Sequence, residues 1–211
     1  MVIFDCDGVL VDSEPIANRV LARHLGTVGI ALSVEDVMHR FVGRTRDGCI
    51  KLAEEMLGRP VPREFGDKWD ADLFRTLRRE VRAVEGVVNL LQRMKVPYCV
   101  ASNGTPERMR MTLEAAGLLP YFEARMFTAA DVANPKPAPD LFLHAARAMG
   151  ATPSKCAVIE DTVTGVKAAV AAGMTVFAYA GASHSDPEVL QRAGATVITS
   201  MYDAAAHLGL Q

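Results

Sequence analysis

From residue 83 onward, short apolar runs alternate with amphipathic stretches of helical length. This alternation constrains the fold more than any other feature of the chain. Residues 96–101, 125–128, 156–159, 175–178 and 196–198 read as strands. Between them lie segments with helix punctuation. Thr105-Pro106-Glu107 has the form of an N-cap, a first-turn proline and a first-turn acid. The helical pattern over 140–149 closes on Gly150, and that over 163–172 on Gly173. Strands separated by helices of roughly 10–15 residues predict a parallel sheet wrapped on both faces.

A further apolar run, residues 1–4, opens the chain, and no strand-like run follows it until residue 96. The intervening stretch carries stripes at helical spacing: Ile16, Val20, Leu21, Leu25 and Val28; Cys49, Ile50, Ala53, Met56 and Leu57; Phe65, Trp69, Leu73, Phe74 and Leu77. Gly58-Arg59-Pro60 separates the last two. The connection is too long for an ordinary crossover. The expectation is therefore a doubly wound α/β core built from 1–15 and 83–211, with an all-helical domain inserted over 16–82. Trp69 reads as part of that domain's core.

Charge and cysteine content exclude several partners. Lys and Arg number 23 against 25 Asp and Glu, a formal net charge of −2, with no block of like charges. There is no basic excess to bind a nucleic-acid phosphate backbone non-specifically. The longest apolar runs fall well short of the roughly 18 residues a membrane span needs, and no secretory signal precedes the first strand. The expected compartment is the cytoplasm, and the expected state a monomer or weak homo-oligomer. The four cysteines, Cys6, Cys49, Cys99 and Cys156, are widely spaced without a C-x-x-C pair, and read as buried reduced thiols. The five histidines form no pair at ligand spacing.

In a doubly wound sheet, ligands bind beyond the carboxyl ends of the strands. Asp5 and Asp7 follow the first strand, and Ser102-Asn103-Gly104 follows the second. Lys136, between Pro135 and Pro137, lies in the loop after the third strand; Glu160 and Asp161 follow the fourth. Ala182-Ser183-His184-Ser185, after the fifth, can flank the same crevice. Four carboxylates converging there need positive charge, because two unit charges 4 Å apart interact by about 4 kcal/mol at an effective dielectric near 20. Lys136 and a hard divalent cation supply it; donors that are all oxygen favour Mg²⁺ over Zn²⁺. Such a site typically serves a phosphate.

These motifs and their order resemble the haloacid-dehalogenase-like phosphohydrolases over essentially the whole chain. Asp5-Cys6-Asp7-Gly8-Val9 resembles the family's first motif, Ser102 its second, Lys136 its third, and Glu160-Asp161 with Thr162 and Gly165 its fourth. The helical insert and Asp12-Ser13-Glu14-Pro15 resemble the branch that holds beta-phosphoglucomutase and phosphoglycolate phosphatase, in which the insert is a cap domain.

The resemblance implies roles. Asp5 is the nucleophile that forms an aspartyl-phosphate, and Asp7 the general acid and base. Mg²⁺ is held by Asp5, the Asp7 main-chain carbonyl and Asp161, with Glu160 direct or through water. Ser102, Asn103 and Gly104 bind phosphoryl oxygens, and Lys136 neutralises Asp5 and the transferring group. In the cap, Glu14 and the loop Phe41-Val42-Gly43-Arg44-Thr45-Arg46 offer substrate contacts, chiefly through Arg44 and Arg46. Asp7 argues against carbon–halogen and phosphonate cleavage. Phosphoglucomutase-like members usually carry a histidine about ten residues beyond the second aspartate, where this chain has Ala17, so mutase activity is not the expectation. The expected substrate is a small phosphorylated metabolite, a sugar or sugar-acid phosphate as for phosphatases of the 6-phosphogluconate type. A phosphosugar mutase and a non-catalytic binding protein of the same fold are the alternatives.

Overall fold

The computed structural model describes residues 1–41, 44–181 and 186–210. The chain divides into two compact units, one of Met1–Asp12 with the chain from Arg82 onward, the other of Ser13–Val81.

The second unit is helical: α1 (Glu14–Val28), α2 (Val34–Phe41), α3 (Arg46–Leu57) and α4 (Phe65–Glu80). α1 buries Ile16, Val20, Leu21 and Leu25, and α4 buries Phe65, Trp69 and Leu77. Trp69 lies tilted against Phe65, with ring centroids 6.5 Å apart. The polar side of the α1–α4 seam is tied by Arg19 to Glu80 and by Arg23 and His24 to Asp72. The sequence stripes cover three of these helices. α2, only eight residues long, lacks the length to show a stripe.

The first unit is a six-stranded sheet, parallel throughout, in the order β3-β2-β1-β4-β5-β6. Its strands are β1 (Val2–Phe4), β2 (Tyr98–Ser102), β3 (Met126–Thr128), β4 (Ala157–Glu160), β5 (Thr175–Tyr179) and β6 (Thr196–Ile198). Helices α5 (Val87–Arg93), α6 (Pro106–Ala115), α7 (Leu119–Phe122), α8 (Asp140–Ala148), α9 (Val163–Ala171) and α10 (Pro187–Arg192) lie between them, and α11 (Met201–His207) follows β6. Val2, Ile3 and Phe4 are all buried, as continuous apolar strands at the centre of a parallel sheet must be. On one face, Leu141, Phe142 and Ala145 of α8 and Val166 and Ala169 of α9 pack over Ile3, Cys99 and Val158. All four cysteines are buried and unpaired by disulfides. No helix among the described residues is long and apolar enough to cross a membrane.

The chain runs from β1 outward through β2 and β3, then returns to the other side of β1 at β4. The strand order therefore reverses beside β1, and this switch point is where a parallel sheet opens a crevice. Register sets what converges there. Phe4 pairs with Val100 on one side and Ile159 on the other, so Asp5 lies beside Ala101 and Glu160. β2 and β4 each extend one residue beyond the runs read from the sequence, making Ser102 and Glu160 the last strand residues.

Candidate active site

Lys136 occupies the middle of the strand-end cluster. Its ammonium donates to Asp5 Oδ1 at 2.6 Å, Glu160 Oε1 at 2.8 Å and the Ala101 carbonyl at 2.8 Å. An ammonium has three hydrogens, and these acceptors take all three. The Phe142 ring lies beneath it, 4.6 Å from centroid to nitrogen. Lys136, Asp5, Glu160 and Asp161 are all buried. Burial works against the charged lysine, but Asp5 and Glu160 outweigh it and hold the ammonium protonated.

The carboxylates are in the opposite position. Burial pushes the Asp5 carboxyl well above its usual range; Lys136 opposes that shift, while Glu160 and Asp161 reinforce it. One ammonium among three buried carboxylates leaves the cluster short of positive charge.

Each carboxylate is placed by local structure. β1 delivers Asp5, whose main-chain N–H donates to the Ile159 carbonyl at 2.9 Å. The chain then turns sharply: Leu10 and Val11 N–H both return to the Cys6 carbonyl. Gly8 has φ +81° in this turn, and a Cβ there would lie 2.0 Å from Asp161 Oδ2. Only glycine lets the first loop and the Asp161 carboxylate approach so closely. Glu160 curls back on its own chain, with Oε2 accepting from Asp161 N–H, Thr162 N–H and Thr162 Oγ1. Thr162 in turn caps α9 by accepting from Gly165 N–H at 3.1 Å. A Cβ on Gly165 would fall 1.7 Å from Glu160 Oε1.

Protein donors thus engage both Glu160 oxygens, three on Oε2 and the Lys136 ammonium on Oε1. The structure gives this residue the work of holding Lys136 and the Asp161 turn. Among the described residues, no group of three His, Cys, Asp or Glu side chains is placed to hold a metal by side chains alone. The remaining donor set is nevertheless suited to Mg²⁺, which is typically bound through one or two carboxylates and keeps several waters. Asp5 and Asp161 would provide those carboxylates, in a cluster where one ammonium faces three buried acids.

The loop after β2 is folded on itself. Gly104 N–H donates to Ser102 Oγ at 3.1 Å, leaving the Ser102 hydroxyl able to donate in its turn. Asn103 does not direct its amide outward. It donates to the Lys136 carbonyl and accepts from Lys136 N–H, at 3.0 and 3.1 Å. Asp7 Oδ1 accepts from Arg108 Nη2 at 3.2 Å. Neither the Asn103 clamp nor Arg108 is among the sequence expectations.

The other expected residues lie on the helical unit. Glu14 opens α1. Arg44 Nε donates to the Arg40 carbonyl at 3.0 Å. The Arg46 guanidinium meets Asp70 at 2.5 Å, Asp67 at 3.1 Å and Asp47 at 3.5 Å. Val42, Gly43 and the segment Ala182-Ser183-His184-Ser185 lie outside the described residues.

The fold and this cluster are those of a doubly wound α/β protein with an acidic strand-end site built around one buried lysine. The chain belongs to the haloacid dehalogenase-like hydrolases, whose family model matches residues 1–173. It is 34% identical over 189 residues to the 6-phosphogluconate phosphatase of Escherichia coli (strain K12), covering 89% of this chain and 86% of that one. A conserved haloacid dehalogenase-like protein of unknown function from Agrobacterium tumefaciens is 41% identical, with a TM-score of 0.90 over 99% of this chain and 96% of its own. A HAD family hydrolase from Deinococcus radiodurans, solved with bound phosphate and sodium, is 32% identical, with a TM-score of 0.87 over 99% of this chain and 94% of its own.

Proposed function

We propose that this hydrolase is a Mg²⁺-dependent phosphatase of small phosphorylated metabolites, acting on a sugar or sugar-acid phosphate through an aspartyl-phosphate. The observation that carries the reading is the buried Asp5–Lys136–Glu160 arrangement. It fixes one oxygen of a carboxylate at the switch point and compensates its charge with an ammonium that cannot leave. The phosphate held by the Deinococcus relative and the activity named for the Escherichia coli relative support the phosphoryl and sugar-acid parts.

In this mechanism an Asp5 oxygen attacks phosphorus and the bond to the leaving oxygen breaks, with Asp7 giving that oxygen a proton. Asp7 then takes a proton from water, whose oxygen attacks the same phosphorus; inorganic phosphate leaves and the Asp5 carboxylate is restored. Ser102 Oγ–H and the Asn103 main-chain N–H bind the phosphoryl oxygens, and Lys136 keeps Asp5 compensated. Asp5, Asp161 and the Asp7 main-chain carbonyl are the residues that would hold Mg²⁺. That ion supplies the charge that lets an anionic nucleophile meet an anionic phosphate. The helical unit serves as a cap, with Glu14, Arg44 and Arg46 assigned to the non-phosphoryl part of the substrate. For Arg46 this means exchanging an aspartate of its own unit for a substrate group.

The test is phosphate release from a panel of sugar phosphates, 6-phosphogluconate, phosphoglycolate and nucleotides, with Mg²⁺ and with EDTA, beside Asp5→Asn. Turnover of the sugar or sugar-acid group, lost with EDTA and in the variant, is expected. Activity that survives Asp5→Asn, or isomerised sugar phosphate without phosphate release, overturns the reading.

A further inference from the structure

Arg108 is placed against local preference. It is the third residue of α6, whose N-cap Thr105 accepts from the Arg108 N–H at 3.2 Å. The amino end of a helix carries partial positive charge, so the first turn favours acids and disfavours a cation. The helix dipole offers the Arg108 cation no support there. Its guanidinium instead crosses to the first loop, 101 residues away in sequence, and donates from Nη2 to Asp7 Oδ1 at 3.2 Å. About a third of the arginine side chain and a fifth of the aspartate side chain remain exposed (32% and 22%), so the pair sits at the rim of the buried cluster. The other Asp7 oxygen faces the turn after β2. A Cβ on Gly104 would stand 3.8 Å from Asp7 Oδ2 and 3.4 Å from Ser102 Oγ.

We propose that Arg108 is a positioning residue for Asp7. It grips Oδ1 and thereby fixes the carboxylate with Oδ2 over the Ser102–Gly104 turn, where the proton of the leaving oxygen is handled. This rests on the phosphatase reading and on Asp7 as its acid. A carboxylate one-fifth exposed at a rim has other rotamers available, and a directed bond from a planar guanidinium favours one of them. The advantage is one of alignment, and it grows as the leaving group becomes harder to expel.

A series of aryl phosphates tests this, because its members differ in leaving-group basicity and carry no hydroxyl or acid for a binding arginine to hold. kcat/KM is compared across the series for the wild type, Arg108→Met and Arg108→Lys. It reports the step in which the leaving oxygen departs and not the later hydrolysis. In Arg108→Met the dependence on leaving-group basicity should steepen. The poorest leaving group is expected to lose about 10–100-fold, part of what general acid catalysis contributes, and the best less than about threefold. Arg108→Lys should recover part of the loss on poor leaving groups. Equal losses across the series, with an unchanged slope, would mean a merely structural role and overturn the proposal. So would an unchanged series accompanied by a raised KM for sugar phosphates alone, which would mean that Arg108 grips substrate. Failure of the phosphatase reading is seen separately, as wild-type turnover that survives Asp5→Asn.

Discussion

Asn103 and Lys136 are paired as residues of neighbouring strands would be, except that one partner is a side chain. The Asn103 carboxamide donates to the Lys136 carbonyl and accepts from its N–H. The loop after β2 and the loop after β3 are joined by this ring, which aims the Lys136 side chain at Asp5. Each bond is worth about 1 kcal/mol, and about 2 kcal/mol together corresponds to a factor near 30 if all of it is lost at the transition state. Asn103→Ala is therefore expected to lower kcat by about 10–30-fold while KM changes little. Asn103→Asp should be worse, since it sets a carboxylate against the Lys136 carbonyl. Full kcat in Asn103→Ala, measured on whichever substrate the panel identifies, would show that the lysine is aimed by other means.

Gly165→Ala should be harmful even though alanine is the better helix former by about 1 kcal/mol. Gly165 lies in the first turn of α9, and a Cβ there would overlap Glu160 Oε1. Glu160 cannot swing aside without giving up Lys136, Asp161 N–H and the Thr162 donors. The expected result is a loss of activity of about 100-fold and a fall in the melting midpoint, with helix content by circular dichroism unchanged. A variant more stable than the wild type, with activity intact, would contradict the close packing of these two residues.

The strand-end cluster was legible because a parallel sheet converts sequence order into position. Once β1, β2 and β4 are recognised from their apolar runs, Asp5 and Glu160 must lie side by side, with Ser102 one residue beyond the Ala101 that flanks Asp5. The bonds inside the cluster were less legible. Glu160 resembles a metal ligand in sequence, and nothing there tells that the turn through Asp161 and Thr162 also directs main-chain donors onto its Oε2. Nothing in Ser102-Asn103-Gly104 tells that the amide will pair with a main chain 33 residues away. Arg108 left one trace, a cation in the first turn of a helix, but its partner lies in another loop. Helix α2 was hidden by its length, and Met56, part of the stripe on α3, is 39% exposed.

Asp161→Asn should separate stability from metal binding. Without Mg²⁺ the wild type holds Asp161 close to Asp5, whose carboxyl is already pushed up by burial and by both acidic neighbours. Removing one of these charges relieves repulsion, so the variant is expected to melt higher than the wild type in EDTA. Saturating Mg²⁺ should reverse the order. At ten times its Kd the ion adds about 1.4 kcal/mol to the wild type, or roughly 3–6 °C for a chain of this size, and little to the variant. An equal Mg²⁺ shift in both proteins would remove Asp161 from the metal site.

Asp72 anchors the seam between α1 and α4, and its effect should depend on pH. Oδ1 accepts from Arg75 at 2.7 Å; Oδ2 accepts from Arg23 at 2.5 Å and from His24 at 3.1 Å. The Arg75 bond above all, with those of Arg23 and His24, holds the carboxyl well below its usual value against the opposing effect of burial. In the unfolded chain it titrates near about 3.9. A carboxyl depressed by folding stabilises the protein at pH values above its unfolded pKa, and that contribution is lost as pH falls through this value toward the folded one. Asp72→Asn should therefore cost about 1–2 kcal/mol at neutral pH, since two of the partners are well exposed and solvent screens them. Urea unfolding of both proteins should give a constant gap from pH 7 to about 5, narrowing steadily below about 4. A gap that persisted undiminished at about pH 3 would mean that Asp72 acts by shape rather than charge.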